Sequence, residues 1–251
     1  MAAAQGSSMK PTPAWPQYDV EANADFCYGS SVSQCEASIQ RGFLRKVFGL
    51  VTAQLALTAG LSALFMFHEP LRTFAIRSPA MLIGSFVASI GFLIACQVYA
   101  HSHPTNLYLL GGFTLAMAWS VATTCGAYAA AGYSMAVLEA LVLTGTATVG
   151  LTVYTLRSKQ DFSYLGAGLG AALWVLILGG VLSIFIPGMQ LAMAVVGAAI
   201  FSLYIVYDVH MIATRLSPDE YVSAAISLYL DIVNLFLHLL RIIAELSGAR
   251  D

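Results

Sequence analysis

Seven separate apolar runs, each long enough to cross a bilayer at about 20 residues and 1.5 Å per residue, dictate what this chain can become. They are Val47–Phe67, Pro79–Ala100, Leu107–Cys125, Tyr133–Tyr154, Phe162–Ile186, Met189–Ile212 and Val222–Leu246. In hydrocarbon every backbone N–H and C=O must be bonded within its own segment, so runs of this length are helices. Their connections are short, as at Ala100-His101-Ser102-His103-Pro104. Consecutive helices are therefore antiparallel neighbours, and the expected fold is an all-α membrane protein, a seven-transmembrane-helix bundle. Composition agrees: 59% of the residues are hydrophobic and 10% charged, outside the range of chains that fold in water. The lipid bilayer is the first partner.

The first 40 residues are polar and turn-rich (Pro11, Pro13, Pro16, Gly29, Ser30, Ser31) and read as a disordered tail. A membrane domain is expected over 41–246 and a short tail over 247–251. The first apolar run begins far from the start and exceeds a signal-peptide core in length, so it is expected to remain as an anchor. Arg41, Arg45, Lys46, Arg157, Lys159 and Arg215 fall on one side of the bundle, against Arg72, Arg77 and Arg250 on the other. The positive-inside rule then predicts a cytosolic N-terminus.

Other classes drop out. No basic patch suggests nucleic acid. No lysine lies in a span to carry a retinal Schiff base, since Lys10, Lys46 and Lys159 all lie outside. Cys27, Cys35, Cys96 and Cys125 form no CxxC pair and no zinc spacing, and Cys96 and Cys125 read as packing residues. No cofactor is expected. Gly166-Ala-Gly-Leu-Gly170 and Gly111, Gly112, Gly145, Gly150, Gly179 and Gly180 suggest close helix approach.

The last run departs from this apolar pattern. Ser227, Asp231, Asn234, His238, Arg241 and Glu245 follow at steps of 4, 3, 4, 3 and 4, which keeps them on one helix face opposite Leu, Ile and Phe. Such a face lies in the membrane interface or turns to a bundle interior. Asp208 in the sixth run and Glu139 in the fourth are further acids within apolar runs. Each acid costs about 2.5–3.5 kcal/mol to insert, which favours the interior. Counting inward from the turn around Arg215–Tyr221, Asp208 and Asp231 differ in depth by roughly 7 Å, which helix offset or tilt can close.

If the two carboxyls meet, they are expected to share a proton and to form a pH-sensitive gate. Ionised, the pair would attract a cation; protonated, it would release it. Calcium takes six to eight oxygens, so two aspartates with waters and carbonyls would give a weak transit site for calcium as the transported species. Glu139, Asn234, His238, Arg241 and Glu245 are candidate pathway lining. The bland alternative is that the stripe only fixes helix register through hydrogen bonds. Tyr204 and Tyr207 read as neighbours of Asp208, and His101, His103 and His210 as interfacial residues.

These residues carry a resemblance. Phe201-Ser-Leu-Tyr-Ile-Val-Tyr-Asp208, and the stretch from Leu216-Ser-Pro-Asp-Glu to Arg241, resemble the transmembrane Bax inhibitor motif family. The similarity is strongest to its Lifeguard branch of Golgi anti-apoptotic proteins. Phe43-Leu-Arg-Lys-Val47, Thr52-Ala-Gln-Leu55, His103-Pro-Thr-Asn106 and Asp161-Phe162 also fit its patterns. The resemblance covers about residues 41–245. It implies a seven-helix fold of the Bax inhibitor type, a Golgi or endoplasmic reticulum membrane, suppression of cell death, and a pH-sensitive calcium leak through paired aspartates at Asp208 and Asp231. Bacterial members carry a glutamate matching Glu139. They also carry an arginine latch at the end of the second span, where this chain reads Tyr99-Ala-His-Ser-His103. An arginine latch is therefore not expected here: His101 or His103 would substitute at most weakly, and Arg241 is the nearest cation in sequence.

Two alternatives accompany the leak. One is a non-conducting regulator of other channels or cell-death proteins. The other is an intramembrane aspartyl protease, disfavoured because Leu228-Tyr-Leu precedes Asp231 where Gly-x-Gly is required.

Overall fold

A computed structural model describes residues 31–100, 102–183, 185–186 and 188–248. Seven of its helices are long and apolar enough to span a membrane. In chain order the helices are α1 (Ala37–Phe67), α2 (Glu69–Arg77), α3 (Pro79–Val98), α4 (Thr105–Ala130), α5 (Ser134–Arg157), α6 (Leu165–Leu182), α7 (Met189–Thr214) and α8 (Tyr221–Gly248). All but α2 span. No strand occurs among the described residues.

The short α2 was not expected from the apolar pattern. Its nine residues are capped by His68, whose Nδ1 accepts from Leu71 N at 3.4 Å. Pro70 occupies the first turn, where its missing N–H costs nothing, with Glu69 at the positive and Arg77 at the negative end of the helix dipole.

Residues 1–30 of the expected tail lie outside the described residues, as do His101 and Cys27. Residues 31–40 are built into the bundle: a 3-10 turn at Val32–Gln34 precedes α1, Val32 N donates to Leu216 O at 2.9 Å, and the Val32 side chain is fully buried. The first span thus begins at Ala37, inside the stretch assigned to the tail. Burial of one valine and one bridging hydrogen bond fixes a segment whose polar composition signalled a loop.

The antiparallel order puts the α3–α4, α5–α6 and α7–α8 connections and the start of α1 at one end of the bundle, here end A. The α1–α3, α4–α5 and α6–α7 connections lie at end B. The last helix is the centre. It packs on α7 and α5, then α1 and α4, whereas α6 packs chiefly on α7 at the periphery. Leu228, Tyr229, Leu235 and Leu240 are each at most 1% exposed, so its apolar face supplies much of the core. Its 28 residues cover about 42 Å, more than the roughly 30 Å hydrocarbon layer.

Most of the singled-out glycines do not mediate helix contact. A methyl group at Gly145, Gly150, Gly168, Gly170 or Gly180 would meet open space, while at Gly166 it would meet the Tyr207 hydroxyl at 2.9 Å. Cys96 and Cys125 are buried thiols, as expected of packing residues.

Candidate functional site

The polar stripe of α8 turns to a cavity of about 510 Å³ between α6, α7 and α8. Ser227, Asp231, Asn234, His238 and Arg241 line it from α8, Tyr204 and Asp208 from α7, and Leu173 from α6 together with Ser183, the residue that caps α6. The periodicity seen in the sequence is therefore an interior face.

Asp208 of α7 and Asp231 of α8 come together as neighbours in the end-A part of this cavity. Asp208 stands six residues before the end of α7 and Asp231 ten after the start of α8, a difference of about 6 Å at 1.5 Å per residue. Side-chain direction narrows this gap. Each Cα–Cβ bond tilts toward its own helix N-terminus, so the shallower Asp208 leans inward and the deeper Asp231 leans outward. Asp231 is 7% exposed, and its Oδ2 has no hydrogen-bond partner among the described residues.

The other stripe residues have defined roles. The Asn234 amide donates to Leu230 O of its own helix at 2.8 Å. His238 stacks on Phe201 with centroids 5.6 Å apart and an interplanar angle of 25°. It lies so close to the Gly197 backbone that any side chain there would overlap the imidazole. Arg241 donates to Gln190 Oε1 at 3.1 Å near end B.

Three expectations require correction. Glu139 is exposed on α5 and Glu245 is exposed on α8, and neither is among the residues lining the cavity. Glu139 is only five residues from the start of α5 and Glu245 three from the end of α8, so both lie near end B. Periodicity assigned Glu245 to the right face, but the cavity ends before it. Arg241 does not take the place of a latch on the aspartates: it is ten residues, or about 15 Å, from Asp231 along the same helix. His103 is exposed, and His101 lies outside the described residues.

Reading the sequence missed a second cluster. At end A, Asp161 in the α5–α6 connection accepts from His210 Nε2 at 2.9 Å, Arg215 at 3.0 Å and Ser163 N at 2.9 Å. The Ser163 backbone N–H, then its hydroxyl, His210 and Arg215, hold the Asp161 carboxyl well below the usual carboxylate range. His210 lies near the end of its span, as expected, and is buried there against Asp161. His210 and Arg215 lie 49 and 54 residues from Asp161 in sequence, so no spacing announces them. Val209 and Ile212, which follow Asp208 on α7 toward end A, are at most 1% exposed.

On the opposite face of α8, the Tyr229 and Thr58 hydroxyls lie 2.8 Å apart, and Gln54 Nε2 donates to Thr114 Oγ1 at 3.1 Å. Among the described residues, no group of three or more His, Cys, Asp or Glu is arranged to hold a metal.

Residues 40–248 match the family model described as "Inhibitor of apoptosis-promoting Bax1". The chain belongs to the Bax inhibitor family. Among its relatives, the Golgi anti-apoptotic protein of Vaccinia virus (strain Lister) is 46% identical over 221 residues, covering 87% of this chain and 92% of the viral protein. Protein lifeguard 4 of Mus musculus is 45% identical over 231 residues, covering 91% and 94%. Bax inhibitor 1 of Schizosaccharomyces pombe is 33% identical over 244 residues, covering 94% and 90%. The Bax inhibitor match thus includes all seven spans and both aspartates.

Proposed function

We propose that this protein inhibits programmed cell death by leaking calcium from a Golgi or endoplasmic reticulum lumen, with its N-terminus cytosolic. The observation that carries this reading is the apposition of Asp208 and Asp231 at the inner limit of a polar cavity within the span. Two carboxyls in contact away from water hold a proton between them rather than ionise together. A calcium ion entering from end B competes with that proton, and acidification lowers its occupancy. With two carboxylates and the remaining ligands from waters and carbonyls, the ion would be held weakly enough to pass on. Val209, Ile212 and the Asp161 cluster then form the barrier at end A.

The name of the viral relative supports the anti-apoptotic role and the Golgi, and the family description supports the first of these. Protease chemistry is disfavoured by the bulk before Asp231: Leu228 and Tyr229 are at most 1% exposed in the core, so a Gly-x-Gly approach is not available to a substrate strand. Purified protein in calcium-loaded liposomes distinguishes conduction from regulation of another channel. Release above empty vesicles supports the leak. Release that appears only when other membrane proteins are added assigns the protein to regulation.

A further inference from the structure

Another cavity lies on the opposite face of α8 and has the opposite chemistry. It is a groove of about 430 Å³ between α1 and α5, floored by Ile232, Val233 and Phe236. The α1 and α5 helices stand apart across it, each held by α8. Leu55, Ala59 and Ala63 form one wall, Leu138, Leu141 and Gly145 the other. The Thr52, Thr58 and Thr144 hydroxyls along it donate to the Phe48, Gln54 and Ala140 carbonyls of their own helices at 2.7, 2.8 and 2.7 Å. Most of the remaining lining is apolar, which favours an apolar occupant.

Shape selects among apolar occupants. The groove follows α1 from Thr52 to Phe67, fifteen residues or about 22 Å. The walls along this length are small or flexible side chains, Ala56, Ala59, Ala63 and Gly145 with Leu55 and Leu141, which suit an extended hydrocarbon chain.

Charge sets the direction. At the end-B limit of the groove, Arg72 of α2 donates to Met66 O at 3.1 Å, and its stem packs on Gly126, next to the lining residue Cys125. Phe67 beside it is 86% exposed. A guanidinium therefore stands where the hydrocarbon layer gives way to headgroups, and guanidinium suits phosphate.

We infer that the α1–α5 groove binds one acyl chain of a bilayer phospholipid from the end-B leaflet, with the lipid phosphate at Arg72. The chain covers Ile232 and Val233, the residues that follow Asp231 on α8, and completes the packing of the central helix.

The test uses the full chain in phosphatidylcholine nanodiscs carrying a trace of phosphatidylcholine with a diazirine in mid-chain. After irradiation, adducts are mapped by mass spectrometry. Adducts on Ala59, Ala63 and Leu141 are expected several-fold above those on Val87 and Ile94, which are exposed on α3. The paired substitution Ala59→Phe with Gly145→Leu fills the groove and removes the excess, leaving Val87 and Ile94 unchanged; Arg72→Gln lowers it. The wild-type map stands by itself should the filled variant fail to fold. Equal labelling of groove and outer face overturns the proposal, as does labelling unchanged by filling. Stronger labelling by a diazirine fatty acid at the same mole fraction overturns the phospholipid source. A cross-link between two copies through Ala59 or Gly145 overturns the single-chain occupant.

Discussion

The two faces of α8 border cavities of similar volume, about 510 and 430 Å³, and treat polarity in opposite ways. Toward α6 and α7, the helix presents Asp231, Asn234, His238 and Arg241, and the Asp231 Oδ2 has no hydrogen-bond partner among the described residues. Toward α1 and α5, it presents Ile232, Val233 and Phe236, while the buried Tyr229 hydroxyl is matched by Thr58. Buried polarity on the second face is consumed in holding helices together. On the first it is concentrated where two acids meet, an arrangement that costs stability and that packing alone does not require.

The largest expected difference between the faces is in transport. Asp208→Asn with Asp231→Asn should reduce calcium release from liposomes about tenfold or more, equivalent to about 1.4 kcal/mol. Detergent unfolding should show the variant no less stable than wild type. A large loss of stability with release unchanged would make the pair structural.

Next comes Gly197→Val, which forces His238 off its stack on Phe201. Overpacking of this kind costs about 1–3 kcal/mol, measurable as a lower unfolding midpoint. An unshifted midpoint would show that the imidazole is not held there.

On the groove face, Tyr229→Phe should cost about 1 kcal/mol, because Thr58 keeps its bond to Gln54 O. Calcium release should be unchanged. A transport defect as large as that of the aspartate variant would erase the distinction between the two faces.

The smallest effect belongs to Asp161→Asn. The native carboxyl is held below the usual range, so its contribution to stability is present above the ordinary carboxylate value near about 3.9. That contribution is lost as pH falls through the lower folded value. Wild type should therefore exceed the variant slightly at neutral pH and converge with it in strong acid. A difference that grew on acidification would contradict the assignment.

The spans were legible because a bilayer needs long uninterrupted apolar runs, and the stripe because a helix repeats every 3.6 residues. What periodicity fixes is a face, not its neighbour. It placed Asp231, Asn234, His238 and Arg241 with Ser227, but could not show that the cavity stops short of Glu245 or that Glu139 sits outside. Helix α2 escaped because nine mixed residues carry no apolar period, although Pro70 in its first turn and Arg77 in its last marked its ends. Gln190 as the partner of Arg241, and Asp161 with His210 and Arg215, arise from tertiary contacts that link distant segments.

The paired aspartates are tested most directly by calcium release from liposomes of purified protein, followed as a function of pH for wild type and for Asp208→Asn with Asp231→Asn. Wild type should release calcium in a pH-dependent manner, and the variant should lose both the release and its pH dependence. Undiminished pH dependence in the variant, or wild-type release no greater than that of empty vesicles at every pH, would contradict the assignment of Asp208 and Asp231 as the gate.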